Sequence, residues 1–271
     1  MPESLVDLEP TDLAHRWRLP VTVPVSVGQG ERMFMFGGIA LGAAVLAMER
    51  TCDRPALWAT AQYLSYARPG STVDFDVRQP MQGHRISQAR VVGHVGDQEI
   101  IAAYAALGGR TSRIDDQWVE APPAPPPADC PLVERWRREE GDLHSRFEQR
   151  LVSGRYQGRA VEGGRGAGRV VLWVRRQDSA PIERVALCVI ADFVLSAVTD
   201  AIGALAGGTS LDNTIRFARA EETEWALCDM SIESVQNGVI HAAMRIFSES
   251  GVLLASAAQT AVLRVHSERQ G

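Results

Sequence analysis

"VEAPPAPPPADCPL" occupies residues 119–132. Proline fixes φ and has no N–H to donate, so this run holds neither a helix nor a central strand. It divides the chain into an N-terminal unit (1–119), a proline-rich linker (120–132) and a C-terminal unit (133–271). Each unit then opens in the same way. A nearly all-apolar, helix-like run comes first: "FGGIALGAAVLAMERT" (36–51) in one and "VALCVIADFVLSAVTDAIGAL" (185–205) in the other. Several β-type segments follow each run.

The two units can be set against each other. "YAR" (66–68) falls on "FAR" (217–219) at a displacement of 151 positions. Further on, Gly83, Arg90, Gly96, Ala102, Ala103 and Ala106 fall on Gly238, Arg245, Gly251, Ala257, Ala258 and Ala261, at a displacement of 155. Gly96 and Gly251 sit at expected hairpin turns, where positive φ is useful. A period this long points to a duplicated domain rather than a solenoid. One helix followed by antiparallel strands is an α+β pattern. Its helix, apolar all round, is expected to be wrapped by a curved antiparallel sheet. Two such units can join sheet edges and so remove exposed ones.

The chain has 271 residues, 45% hydrophobic and 23% charged, with a net charge of −5. That composition fits an ordinary globular protein. No basic stripe with interleaved aromatics is present, so no nucleic-acid partner is expected. No apolar run reaches about 18 residues, so no membrane span is read. "MPESLVDLEP" (1–10) is acidic and lacks the apolar core of a signal peptide, which leaves a cytoplasmic location as the expectation. Cys52, Cys130, Cys188 and Cys228 are far apart and read as reduced thiols. The six histidines are scattered without metal-ligand spacing. Neither a metal nor a cofactor is expected.

"LLASAAQTAVLR" (253–264) reads as an apolar strand with one amide, Gln259, in its middle. A buried amide without partners costs about 1–3 kcal/mol, so Gln259 needs a structural or a chemical reason to be there. "FGG" (36–38), "YARPG" (66–70), "ADF" (191–193), "SLDNTIRFAR" (210–219) and "LASAAQ" (254–259) give one. In order and spacing they resemble the double-hotdog acyl-CoA thioesterases of the acyl-CoA thioesterase II type, over roughly residues 30–265. The resemblance implies a double hotdog fold and hydrolysis of a fatty acyl thioester to free acid and thiol, the carrier being CoA or an acyl-carrier protein. It also implies a homo-oligomer, expected to be a dimer. In that family an Asp on the second helix, a Ser or Thr opening the next strand and a Gln on the last strand hold a water against the thioester. Those positions are Asp192, Ser210 and Gln259 here; Thr209 is a fallback for Ser210.

Thioester hydrolysis needs a water, a base for its proton and donors for the oxyanion. Asp192 in an apolar pocket would be a carboxylate of raised pKa, suited to the base role. Ser210 and Gln259 could hold the same water. Backbone N–H groups at a helix start suit the oxyanion. Opposite Asp192, Ser210 and Gln259, the first unit is read as carrying Ile39, Ala59 and Tyr104. The polar trio therefore occurs once, which a purely structural need would not explain. Asp212 reads equally as a helix-capping or loop-bonding residue, and Arg68 and Arg219 as residues of structural ion pairs or hydrogen bonds, with contact to a CoA phosphate the lesser reading. Two departures from the family pattern stand out. Asn213, Arg216 and Ala218 occupy a strand where members often carry His and Trp, and "GGI" stands where "GGQ" is frequent. The alternative readings are a hotdog protein that binds acyl groups or a partner without turnover, and a hotdog hydratase or dehydratase. The latter wants a His about five residues after the Asp, which "ADFVLSAV" (191–198) lacks.

Overall fold

The structure, a computed structural model, describes residues 4–134, 139–156 and 164–265. The remaining positions, several of them in the expected C-terminal unit, lie outside the described residues. In chain order the elements are β1 (Glu9–Pro10), β2 (Arg16–Pro20), β3 (Ser26–Val27), β4 (Phe34–Met35), α1 (Gly37–Cys52), β5 (Ala56–Tyr63), β6 (Thr72–Gln82), β7 (Ile86–Val95) and β8 (Gln98–Gly108). After the proline-rich stretch come β9 (Phe147–Ser153), β10 (Arg169–Arg176), α2 (Arg184–Ala191), α3 (Val198–Ile202), β11 (Ala206–Ser210), β12 (Asp212–Phe217), β13 (Trp225–Gln236), β14 (Val239–Ser248) and β15 (Leu253–Val265).

All strands but β3 and β4 form one antiparallel sheet, in the order β1-β2-β6-β7-β8-β5-β12-β15-β14-β13-β10-β9, with β11 also pairing β15. The order reads the same from both ends toward the middle. A helix-following strand (β5, β12) lies at the centre, its last hairpin partner (β8, β15) next, then β7 or β14, then β6 or β13. The two halves join where β5 meets β12, and the Thr60 and Thr214 hydroxyls meet there at 2.7 Å.

Strand registers fix which residues correspond. Thr60 pairs with Tyr104 and Thr214 with Ala258, so both strands repeat at a displacement of 154 positions. In β5 and β8 this replaces the displacements of 151 and 155 read from short identities, of which "YAR" (66–68) lies beyond β5 and Gly83, Arg90 and Gly96 lie outside β8. Side chains alternate faces along a strand, so an error of one position swaps inside for outside. Tyr104 is 53% exposed and faces outward, whereas Gln259 is 3% exposed and faces the helices. The first-half counterpart of Gln259 is Ala105, and Ala59 corresponds to Asn213 rather than to Ser210. Both alanines are buried. Gly96 and Gly251 do adopt positive φ at the hairpin turns.

The helices pack on one another inside the sheet. α1 is apolar on every side and buried over nearly its whole length. It touches α2 through Gly38 and Gly42. A Cβ on Gly38 would lie 2.7 Å from Val189 Cα, and one on Gly42 would lie 3.1 Å from Val185 Cγ1. The second apolar run, expected as one helix, is α2, a 3₁₀ segment over Asp192–Ala197 and then α3, ending at Gly203 in the left-handed conformation. The winding tightens at Asp192. Arg184–Ile202 spans 19 residues with a mean hydropathy of 2.1, long and apolar enough to cross a membrane, contrary to the reading that no run reached that length. Within the fold 83% of that window is buried, as expected of a core helix.

The proline-rich stretch lies along the outer face of the second half. Trp173 donates its indole N–H to the Pro125 carbonyl at 2.9 Å, and Val119, Ala121 and Ala124 pack on Cys130, Leu227 and Phe247.

Because the clash at Gly38 is with backbone, replacing it should force the helices apart. Gly38→Ala is expected to lose about 1–3 kcal/mol of stability, the usual scale for overpacking. Urea denaturation reads this directly. An unchanged midpoint would show that the helices separate freely.

Candidate active site

Asp192, Ser210 and Gln259 meet although they come from three separate elements. Asp192 is the first residue of the 3₁₀ segment after α2, Ser210 ends β11 and Gln259 lies mid-β15. The Gln259 Nε2 donates to Asp192 Oδ1 at 2.5 Å and to Ser210 Oγ at 2.9 Å. Ser210 Oγ donates to Asp192 Oδ1 at 3.5 Å. Gln259 is therefore paired with the Asp192 carboxylate and with the hydroxyl of Ser210 on the adjoining strand β11. Its Oε1 is buried and makes no hydrogen bond to protein.

The other carboxylate oxygen is held by the first half. Gly38, in the first turn of α1, donates its backbone N–H to Asp192 Oδ2 at 2.8 Å. The first N–H groups of a helix lack intrahelical acceptors and lie at its positive end, so they favour an anion. A Cβ on Gly37 would sit 2.8 Å from Asp192 Oδ2, so the approach needs glycine there. Tyr63, at the end of β5, donates its hydroxyl to the Gly37 carbonyl at 3.1 Å.

Burial pushes the Asp192 carboxyl up to about 6, against the pull of Gln259, Gly38, Ser210 and Asn213, which favour the anion. Asn213 is fully buried beside it, and neither polar atom of its amide has a hydrogen bond of good geometry. Burial, and next the charge of Asp192, holds the Tyr63 phenol well above its usual range, so it remains a donor.

Asp192, Ser210, Gly37 and Tyr63 line a cavity of about 1180 Å³ between the halves. Phe34, Phe36 and Ile100 line it from the first half, and Phe193, Leu195 and Leu205 from the second. The other sequence candidates are placed elsewhere or in lesser roles. Thr209 lines the cavity but accepts from Arg264 Nε at 2.5 Å. Asp212, the first residue of β12, accepts the Thr260 N–H of β15 at 2.6 Å, a bond between strands rather than the helix-capping or loop-bonding role expected. Arg219 pairs with Asp115 at 2.9 Å, and Arg68 donates to the Glu31 carbonyl. Sequence reasoning missed the Gly38 N–H and Tyr63 as parts of the site. The glycine pair ahead of an apolar helix was the available signal for the first.

The fold is that of the hotdog proteins. A family model for the acyl-CoA thioesterase C-terminal domain matches residues 101–263. A protein assigned as a thioesterase from Novosphingobium aromaticivorans is 31% identical. The match covers 95% of this chain and 98% of that one, with a TM-score of 0.85. An acyl-CoA thioesterase II, TesB2, from Mycobacterium marinum is 22% identical, with 98% of each chain covered and a TM-score of 0.75. A hot dog fold protein of unknown function from Alicyclobacillus acidocaldarius is 17% identical over 96% of this chain and 97% of that one, with a TM-score of 0.82. No curated protein matches the chain. The chain belongs to the acyl-CoA thioesterase family and is a thioester hydrolase.

The raised Asp192 pKa has a consequence for stability. Between about pH 4 and pH 6 the folded state keeps a proton that the unfolded chain has released, so stability falls as pH rises through that window. The loss is complete above about pH 6. Asp192→Asn does not titrate. Its stability relative to the native chain is expected to rise by on the order of 2–3 kcal/mol from pH 4 to pH 8. Denaturant unfolding of both proteins across that range checks this, and parallel curves would contradict it.

Proposed function

We propose that the protein hydrolyses a fatty acyl-CoA thioester to free acid and CoA through a water activated by Asp192. The observation that carries this reading is the buried Asp192 carboxylate at the wall of a largely apolar cavity, ionised above about pH 6, with Gln259 bonded to it and the Gln259 Oε1 unspent. The water oxygen attacks the carbonyl carbon while its proton passes to Asp192. Gln259 Oε1 accepts the water's other hydrogen, and Ser210 helps to fix the Gln259 amide. The developing oxyanion is assigned to the Gly37 N–H, because the Phe36, Gly38, Ile39 and Ala40 N–H groups already serve Val25, Asp192 and Phe36. The tetrahedral intermediate collapses with cleavage of the C–S bond. The departing thiolate then takes the proton from Asp192, which regenerates the carboxylate.

In this reading the chain is a double hotdog: residues 1–119 and 133–271 are two repeats, each with a central helix, and 120–132 link them. The mirrored strand order supports it. The polar residues lie in the second repeat, and the first supplies the helix start. A cytoplasmic setting agrees with four free cysteines, since reducing compartments keep thiols unpaired. We also propose a homodimer on the strength of the family. Light scattering at micromolar concentration should give twice the chain mass, and a monomer would refute this.

Asp192→Asn should lower kcat by about 10²–10⁴-fold, the usual share of general-base catalysis. Ser210→Ala and Gln259→Ala should each cost less, and the losses should not add, because the three act on one water. An acyl-CoA chain-length series with thiol detection measures this. If Gln259 only holds strands together, Gln259→Ala lowers the melting temperature and leaves kcat per folded molecule intact. Absence of turnover across the whole series would favour an acyl-binding protein without catalysis.

A further inference from the structure

The carbonyl that Tyr63 binds and the N–H that Asp192 binds belong to one peptide unit. The Tyr63 hydroxyl donates to the Gly37 oxygen at 3.1 Å, and the Gly38 N–H donates to Asp192 Oδ2 at 2.8 Å. A peptide is planar and conjugated, so the direction of its C=O sets the direction of its N–H. A donor on the oxygen also draws charge from the nitrogen and strengthens what its N–H gives. Such chains of hydrogen bonds reinforce one another by roughly 10–30% per bond. The three groups are in close contact: a Cβ on Gly37 would lie 2.8 Å from Asp192 Oδ2 and 3.2 Å from Tyr63 Cζ.

We propose that Tyr63 is a positioning residue for Asp192, which acts through the Gly37–Gly38 peptide to aim the Gly38 N–H and favour the ionised carboxylate. At the displacement of 154 positions relating the halves, the residue corresponding to Tyr63 is Phe217, which has a similar ring and no hydroxyl. A wall-filling ring therefore occurs in both halves, and the hydroxyl only in the half that meets Asp192. The catalytic consequence rests on the thioesterase reading above; the effect on Asp192 titration does not.

Other titratable groups face this centre. Cys188 lies one turn before Asp192 on α2, and burial pushes its thiol up, so it stays neutral. Asp212 is on β12, and His144 lines the cavity next to Phe193. The test must therefore read Asp192 itself.

The full chain, carrying ¹³C-labelled aspartate, is titrated by NMR, with the Asp192 carboxyl signal assigned by its loss in Asp192→Asn. In Tyr63→Phe the Asp192 pKa is expected to rise by about 0.3–1 unit. The acid limb of kcat/KM should rise with it, a loss of roughly 2–10-fold near pH 5 with KM little changed. If the melting temperature drops while the titration stays where it was, Tyr63 only fills space and the proposal fails. Should Tyr63→Phe not fold, fluorotyrosine at position 63 keeps the ring and makes a stronger donor. The Asp192 titration must then move down, and no movement overturns the proposal. A shifted titration in a protein that hydrolyses no acyl-CoA would sustain the relay and sink the thioesterase reading. Hydrolysis with an unmoved titration would do the reverse.

Discussion

A carboxylate lies between two helices, and much of the architecture follows from keeping it there. Removing an ion from water costs several kcal/mol even after relaxation, so a buried Asp needs several donors. Asp192 takes them from α1, β11 and β15: the Gly38 N–H, the Ser210 hydroxyl and the Gln259 amide. No single half of the chain supplies all three. The α1 donor reaches Asp192 only because Gly38 and Gly42 let α1 approach α2 closely. That approach in turn needs one continuous sheet wrapped around both helices, with β5 and β12 as its seam.

The duplication makes the economy of this site visible. Where the second half has Gln259 and Asn213, the first has Ala105 and Ala59 at the matching register. Alanine in both places shows that the fold itself asks only for small inward side chains there. Replacing them with amides next to a buried acid adds polar groups that packing does not require. The symmetric frame remains in the centre of the sheet, where Thr60 meets Thr214. The asymmetry begins one residue away, on the face that looks at the helices.

Much of the fold was legible in the sequence because its signals are local. The proline run, the two apolar helical runs and the Gly96 and Gly251 turns each announce themselves without reference to distant residues. Asp192, Ser210 and Gln259 were legible through family motifs, and Gln259 also through its oddity in an apolar strand. Register was not legible. Repeats of alanine match at several displacements, and only the hydrogen-bonded pairing distinguishes 154 from its neighbours. That is why Tyr104 was set against Gln259 although it faces the other way. The break of the second helix at Asp192 was hidden too, since α-helical and 3₁₀ turns share the same apolar composition. The donors from α1 were invisible for a simpler reason: a backbone N–H is the same at every residue, and only the crossing of the helices gives Gly38 its role.

The polar atoms left over at the site set the final constraint. Gln259 Oε1 and both ends of the Asn213 amide are buried with no hydrogen bond to protein, and each such group costs about 1–3 kcal/mol. The first half shows that alanine would avoid the cost at both positions. The Asn213 amide bears no charge at any pH, so it cannot pull the Asp192 carboxyl down strongly. Burial prevails over the nearby groups that favour the anion, and the carboxyl is held at about 6. A carboxyl held there is ionised at neutral pH yet retains more proton affinity than an ordinary aspartate, which suits the general-base role proposed for it.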